Sequence, residues 1–349
     1  MRERNYNIHN LVKFKIRGKL GLPSRLLTNF RLQYKSFESP EIDKPDFTIL
    51  LGDFSPSNND CYILDDRFYI KENYLFCEDS YKIARWKLEI SGFEEGDTIV
   101  RIDANLFAWE LIPGFVIDPL IILKLNEKGY SVVHGSCISK DGKAYLFTSQ
   151  GGGGKTSTTL YAVERGLKFL GDNFIILDEG YVLNLLYPLN LFRFNLTPLV
   201  RRNMGIKSKV KLYFIDLMEK VTGFGMATKV NPEEIFPDAL SDRGKLTAIF
   251  LLLPREGFRI TEITREEMLH HLVMNLKLDL VPLIKYMIEY SYMFPRSRVA
   301  NFWKHYEENL RKNLNGDVLT YKLEIPQKYN LEVFEKIFEL IELIRMKGG

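Results

Sequence analysis

Four consecutive glycines run into a lysine and two hydroxyl residues at Gly151, Gly152, Gly153, Gly154, Lys155, Thr156 and Ser157. Their types and spacing imply anion binding. Glycines let successive backbone N–H groups point at one anion with no Cβ in the way. A helix opening at Lys155 adds unsatisfied N–H groups and the positive end of its dipole. Lys155 would bring a full charge to the β- and γ-phosphates of a nucleotide, and Thr156 a hydroxyl for Mg²⁺. The bland alternative is a flexible linker, but a linker does not join an apolar strand to an apolar helix. Composition alone would give such a run in about one chain in ten thousand. Ser149 stands where the pattern G-x-x-x-x-G-K-[ST] has its first glycine.

Such a site needs a carboxylate, and chain geometry chooses between two. A helix over Lys155–Arg165 leads away from the phosphates by roughly 16 Å. After Gly166 the chain turns back, and Leu167–Gly171 returns it by about the same distance as a strand. Asp172 is therefore expected near the phosphate end, where it could hold Mg²⁺ or accept a proton. The competitor is Phe174-Ile175-Ile176-Leu177-Asp178-Glu179, which mimics an ATPase strand with a trailing catalytic Glu. On a continued strand Asp178 would lie about 20 Å beyond Asp172. Asp178-Glu179-Gly180 between two apolar runs reads more simply as a hairpin turn.

The elements that must position these residues divide the chain into three segments. Residues 1–112 are strand-rich, with strands expected over Val12–Arg17, Phe47–Leu51, Cys61–Leu64, Arg67–Lys71, Lys82–Ile90 and Thr98–Ile102. Residues 113–256 form a nucleotide-binding α/β core. It begins with a helix over Phe115–Lys128 and strands over Ser131–Ser139 and Lys143–Ser149. Beyond the glycine loop, strands are expected at Leu167–Leu170, Phe174–Leu177, Tyr181–Tyr187 and Leu246–Leu253. Residues 257–349 are mainly helical and expected to pack on the core. Thr264-Arg265-Glu266-Glu267 is a capping box, Val299–Leu314 reads as a helix and Val318–Ile325 as a strand. A last helix places Phe334, Ile337, Ile341 and Ile344 on one face, with Gly348 beyond it.

The glycine loop and its flanks resemble the HPr kinase/phosphorylase-like P-loop kinases, whose nucleotide domain is related to that of phosphoenolpyruvate carboxykinase. The likeness is carried by Val133-His134-Gly135-Ser136, the loop itself, and Glu164-Arg165-Gly166-Leu167-Lys168-Phe169-Leu170-Gly171-Asp172-Asn173. It covers roughly residues 115–190, about a quarter of the chain in its detailed motifs. The resemblance implies an α/β fold with a P-loop kinase core behind a strand-rich N-terminal region. It implies ATP and Mg²⁺ as cofactors. Gly151–Gly154, Lys155, Thr156 and Ser157 would bind nucleotide, and Thr156 and Asp172 the metal. Lys155, Asp172 and His134 would be catalytic, with His134 beneath the loop. Asn173 stands where a second Asp is usual; an amide cannot take a proton at neutral pH. No match to the substrate-contacting C-terminal signature of true HPr kinases is present, so HPr itself is not the expected acceptor. The implied activity is γ-phosphoryl transfer to a serine-type or small-molecule hydroxyl. A catalytically weak nucleotide-binding regulatory module and an ATPase using Glu179 are the alternatives.

Other features bound the reading. Across 349 residues, 48 Lys and Arg stand against 45 Asp and Glu, so overall charge gives no nucleic-acid signature. Leu191–Leu212 nevertheless holds Arg193, Arg201, Arg202, Lys207, Lys209 and Lys211 with no acidic residue. It reads as a solvated face or as a clamp for phosphate or an acidic peptide, with Arg193 the residue expected to reach inward. Gly223-Phe224-Gly225 reads as a loop, with a lid as the sharper alternative. His270-His271 lacks metal-site spacing. Cys137 near His134 is expected to be a buried strand residue rather than a nucleophile. Cys61, Cys77 and Cys137 form no CxxC pair, no signal peptide is read at Met1–Asn5, and Leu106–Leu125 is interrupted by charge. A cytoplasmic chain without a membrane span is the expectation. Self-association is left open.

Overall fold

The computed structural model describes residues 2–18, 32–222, 227–326 and 331–347. It is a mixed α/β protein that divides into two units, Met1–Gly129 with Leu280–Asn309, and Tyr130–Asp279 with Leu310–Gly349. The three segments expected from the sequence are therefore cut differently. The first break falls at 129/130 rather than 112/113, and residues 280–309 join the strand-rich N-terminal unit instead of the core. Gly223-Phe224-Gly225 and Gly348 lie outside the described residues. Among the described residues no helix is long and apolar enough to cross a membrane.

The first unit is built on a nine-stranded sheet. Its centre is parallel, with Phe47–Leu51 between Val12–Gly18 and Thr98–Ala104. Val12–Gly18 and Phe47–Leu51 alternate buried and half-buried residues, which is why period-two patterning found them. Tyr74–Tyr81 was not foreseen. Its first four residues are buried on both faces and its last four largely exposed, so no alternation marks it.

The second unit carries a seven-stranded sheet. The strand Lys143–Thr148 lies between Ser131–Lys140, antiparallel, and Arg243–Pro254, parallel. Five of its six residues are buried, so it reads as a continuous apolar run, as central strands do. The segments Leu167–Leu170 and Phe174–Leu177, expected as two strands, are one strand, Lys168–Asp178. The strand runs through Asn173 although that residue takes φ +82°, a conformation that asparagine tolerates better than most residues. The strand expected to reach Tyr187 ends at Leu183. Between Asp178 and Tyr181 the chain reverses, with Glu179 at φ +44° and Gly180 at φ +84°, both left-handed as a two-residue hairpin requires.

Helices cover this sheet. Lys155–Glu164 packs on Ser131–Lys140 and Lys168–Asp178, and Arg265–Asp279 packs on Ser131–Lys140 and Arg243–Pro254. Thr264 caps the latter, its hydroxyl accepting from Glu267 N at 3.2 Å. The last helix, Leu331–Lys347, buries Ile337, Ile341 and Ile344 and stacks Phe334 on Tyr161 at 4.7 Å.

Candidate functional site

The glycine loop leaves the carboxyl end of the central strand Lys143–Thr148, the end of an α/β sheet where ligands collect. Gly154 sits at φ +85° and is the residue before the helix Lys155–Glu164, so the chain enters the helix through a left-handed turn. Gly153 is needed for a different reason. A Cβ there would stand 2.3 Å from the Ser149 hydroxyl oxygen. The side chain missing at Gly153 is thus replaced in space by that of Ser149, the residue that departs from the sequence pattern. Gly151 and Gly152 have open space where a Cβ would point.

Lys155 is buried, 8% exposed, with Nζ donating to Ser149 O at 2.7 Å and to Gln150 O at 3.3 Å. Burial lowers the proton affinity of its ammonium, opposed by the charges of Asp172 and Asp279. Thr156 donates its hydroxyl to Asp172 Oδ2 at 2.8 Å. This contact is where the returning strand was expected to bring Asp172. Burial raises the Asp172 carboxyl above the usual range, against the Thr156 hydrogen bond and the charges of Lys155 and His134. Ser157 is half-buried in the first helical turn.

Strand register fixes the rest. Ser131–Lys140 runs antiparallel to Lys168–Asp178 with Ser136 opposite Asp172, Gly135 opposite Asn173 and His134 opposite Phe174. Thr159 in the loop helix donates to Ser136 Oγ at 2.7 Å, pinning helix to strand. Thr148, the last residue before the loop, donates to His134 O at 2.8 Å. The buried Nδ1 of His134 faces the Asp279 carboxylate in an ion-pair contact. Asn275, four residues earlier on the same helix face, donates to Thr148 Oγ1 at 3.0 Å.

The structure therefore gathers Lys155, Thr156, Asp172 and His134, with Asn173 beside Asp172 on the strand. Asp279 belongs to the same cluster and was not foreseen. Its one sequence signal is the polar pair Asn275/Asp279 at i,i+4 on a helix whose Met268, Leu269, Leu272, Val273 and Leu276 are buried. Arg193 does not reach inward. It is exposed on a short 3₁₀ turn, Arg193–Asn195, and lines a separate cavity with Arg201 and Lys209. Burial of the apolar neighbour Leu191 does not extend to it, and Phe194 on its other side is 82% exposed. Glu179 is exposed in its hairpin and paired with Lys312 at 2.8 Å. Cys137 is fully buried and its thiol pushed well above the ordinary range, which leaves no thiolate nucleophile there.

No family model matches the chain. No curated protein matches it either. Among solved structures, the HPr(Ser) kinase/phosphatase from Coxiella burnetii aligns at 12% identity over 62% of this chain and 97% of that one, with a TM-score of 0.30.

Proposed function

We propose that the chain is an ATP- and Mg²⁺-dependent kinase that transfers the γ-phosphoryl group to a hydroxyl. The observation that carries this reading is the 2.8 Å meeting of Thr156 and Asp172 at the mouth of a glycine loop, beside the buried ammonium of Lys155.

The donor set fits magnesium. Thr156 Oγ1 and Asp172 Oδ2 are hard oxygen donors, and Mg²⁺ is commonly held by one or two such protein groups together with substrate phosphates. Among the described residues no group of three or more His, Cys, Asp or Glu could hold a metal by itself. The ion is thus expected to arrive with the nucleotide. When bound, it neutralises charge building on the β- and γ-oxygens.

Loop N–H groups between Gly151 and Gly154 cradle the phosphates, and the helix N-terminus adds its dipole. Lys155 exchanges its contacts with Ser149 and Gln150 carbonyls for phosphate oxygens. Asp172 accepts the proton of the attacking hydroxyl, a role for which a carboxyl of raised proton affinity suits. Asn173 cannot share that role, so of the Asp172–Asn173 pair only Asp172 can act as a base.

The Asp279 carboxylate against Nδ1 of His134 fixes the orientation of the imidazole ring. Asp279 is thus a positioning residue. Asp279→Asn is expected to lower kcat by roughly 10- to 100-fold, the scale for losing a partner that orients a functional histidine. The KM for ATP should stay near wild type, whereas general loosening of the loop would raise it.

The test is incubation with γ-labelled ATP, Mg²⁺ and cell extract. Label is expected on a hydroxyl-bearing acceptor, dependent on Mg²⁺ and retained in Glu179→Gln. Acceptor-independent ADP release that collapses in Glu179→Gln would replace the kinase reading with an ATPase. Nucleotide binding with no labelled product would replace it with a regulatory module.

A further inference from the structure

We propose that the cavity walled by Arg193, Arg201 and Lys209 docks an acidic peptide segment bearing a bulky apolar side chain. In this scheme the segment belongs to the phosphoryl acceptor, so that part of the proposal rests on the kinase reading above. The cavity is about 260 Å³, and Leu196, Met204, Leu212 and Tyr213 complete its wall. That is below the roughly 300–1,000 Å³ of pockets for whole small ligands. It suits one large side chain, with carboxylates on either side meeting the cations.

Charge points the same way. Arg202, Lys207 and Lys211 flank the three lining cations, and Leu191–Leu212 contains no Asp or Glu. Among the described residues no carboxylate pairs with Arg201, Arg202, Lys207, Lys209 or Lys211. A cluster of like charges is a field complementary to an acidic partner.

Exposed apolar surface adjoins the cations. The helix Ile206–Thr222 presents Ile206 at 81%, Val210 at 63%, Tyr213 at 76% and Phe214 at 62% exposure, a stripe at helical spacing. Phe194 stands exposed beside Arg193. Aromatic residues and Arg interleaved in this way are the composition of interface centres. A lipid surface is the poorer fit, because here cations and apolar groups line a concavity that a flat bilayer does not enter.

Position ties the cavity to the loop. The turn Arg193–Asn195 and the helix Pro198–Asn203 pack on the loop helix, and Leu199 N donates to Glu164 Oε1 at that helix's far end, 3.3 Å away. From Glu164 to Lys155 the helix spans roughly 15 Å. An extended peptide covers that in about four to six residues, which sets the spacing between the docked side chain and the reacting hydroxyl.

The experiment is fluorescence anisotropy with labelled peptides. The probe is Glu-Glu-X-Glu-Glu followed by a Gly/Ser tail, with X being Leu, Phe, Tyr or Met, and its twin carries Lys for every Glu. Vesicles of phosphatidylserine and phosphatidylcholine are the third arm. The acidic probe is expected to bind wild type, weaken with salt, and lose about tenfold or more in Arg201→Glu/Lys209→Glu, whose thermal melt is unchanged. Absence of acidic-probe binding, equal binding of the Lys twin, or undiminished affinity in the double variant overturns the proposal. Vesicle binding without peptide binding overturns it in favour of a membrane face. Lys155→Met is expected to keep the peptide affinity, so failure of phosphotransfer and failure of docking are separately visible.

Discussion

Asp172→Asn is expected to lower kcat by about 10³-fold while the protein stays folded, the scale for removing a positioned general base. The amide can still accept from Thr156, so the hydrogen bond that links helix and strand has a substitute. What is lost is the proton acceptor, together with the charge of the carboxylate that would hold Mg²⁺. Because burial raises the Asp172 carboxyl, the acid limb of the wild-type kcat/KM profile should lie above the ordinary aspartate range, and the variant should lack that limb. Stability follows with a definite sign. The native state binds this proton more tightly than the unfolded chain does. The associated stability is therefore fully present below the unfolded aspartate value and is lost as pH rises through the raised native one. At neutral pH the wild type carries a buried carboxylate whose desolvation is only partly offset, and Asn removes that cost. Melting temperatures of the two proteins at neutral and acidic pH check this. The variant should melt no lower than wild type at neutral pH, and its relative advantage should shrink on acidification. A variant that melts well below wild type at neutral pH would show Asp172 to be structural.

The parts of this site that sequence exposed are those built from neighbours along the chain. The glycine loop, Lys155 and Thr156 lie within one turn-to-helix segment, and their spacing alone implies a phosphate cradle. Asp172 was accessible too, because a helix out and a strand back are lengths that can be added. The same arithmetic put Asp178 and Glu179 too far along, and the left-handed pair Glu179–Gly180 in a hairpin agrees. Asp279 was out of reach by this route. More than a hundred residues separate it from the loop, and only the packing of its helix across Ser131–Lys140 brings it to His134. Its helix was visible from the capping box at Thr264–Glu267, but an apolar helix face with polar residues four apart does not say which strand it will meet. Arg193 failed for the opposite reason. Apolar neighbours suggested burial, yet Phe194 beside it is itself exposed, so the pattern reported a surface of mixed chemistry. The continuity of Lys168–Asp178 through Gly171-Asp172-Asn173 was hidden because those residue types usually end strands.

Lys155→Met is expected to cut phosphoryl transfer by about 10³-fold, comparable to losing a preorganised charge at the reacting group. Methionine has similar length and suits a site 8% exposed, so the fold should persist. The contacts surrendered are to the Ser149 and Gln150 carbonyls, which belong to the loop rather than to the sheet. Nucleotide affinity should fall as well, because the same charge meets phosphate before and during transfer. The sharper consequence concerns Asp172. The Lys155 ammonium is one of the charges that restrain the upward shift of that carboxyl. Removing it should raise Asp172 further, moving the acid limb of residual activity to higher pH than in wild type. The two residues then act as one unit, and the double variant Lys155→Met/Asp172→Asn should be little worse than either single one. Isothermal titration with ATP, pH profiles of residual transfer and the double-mutant cycle measure these in turn. Additive losses in the cycle, or an acid limb that does not move, would place Lys155 and Asp172 in separate roles.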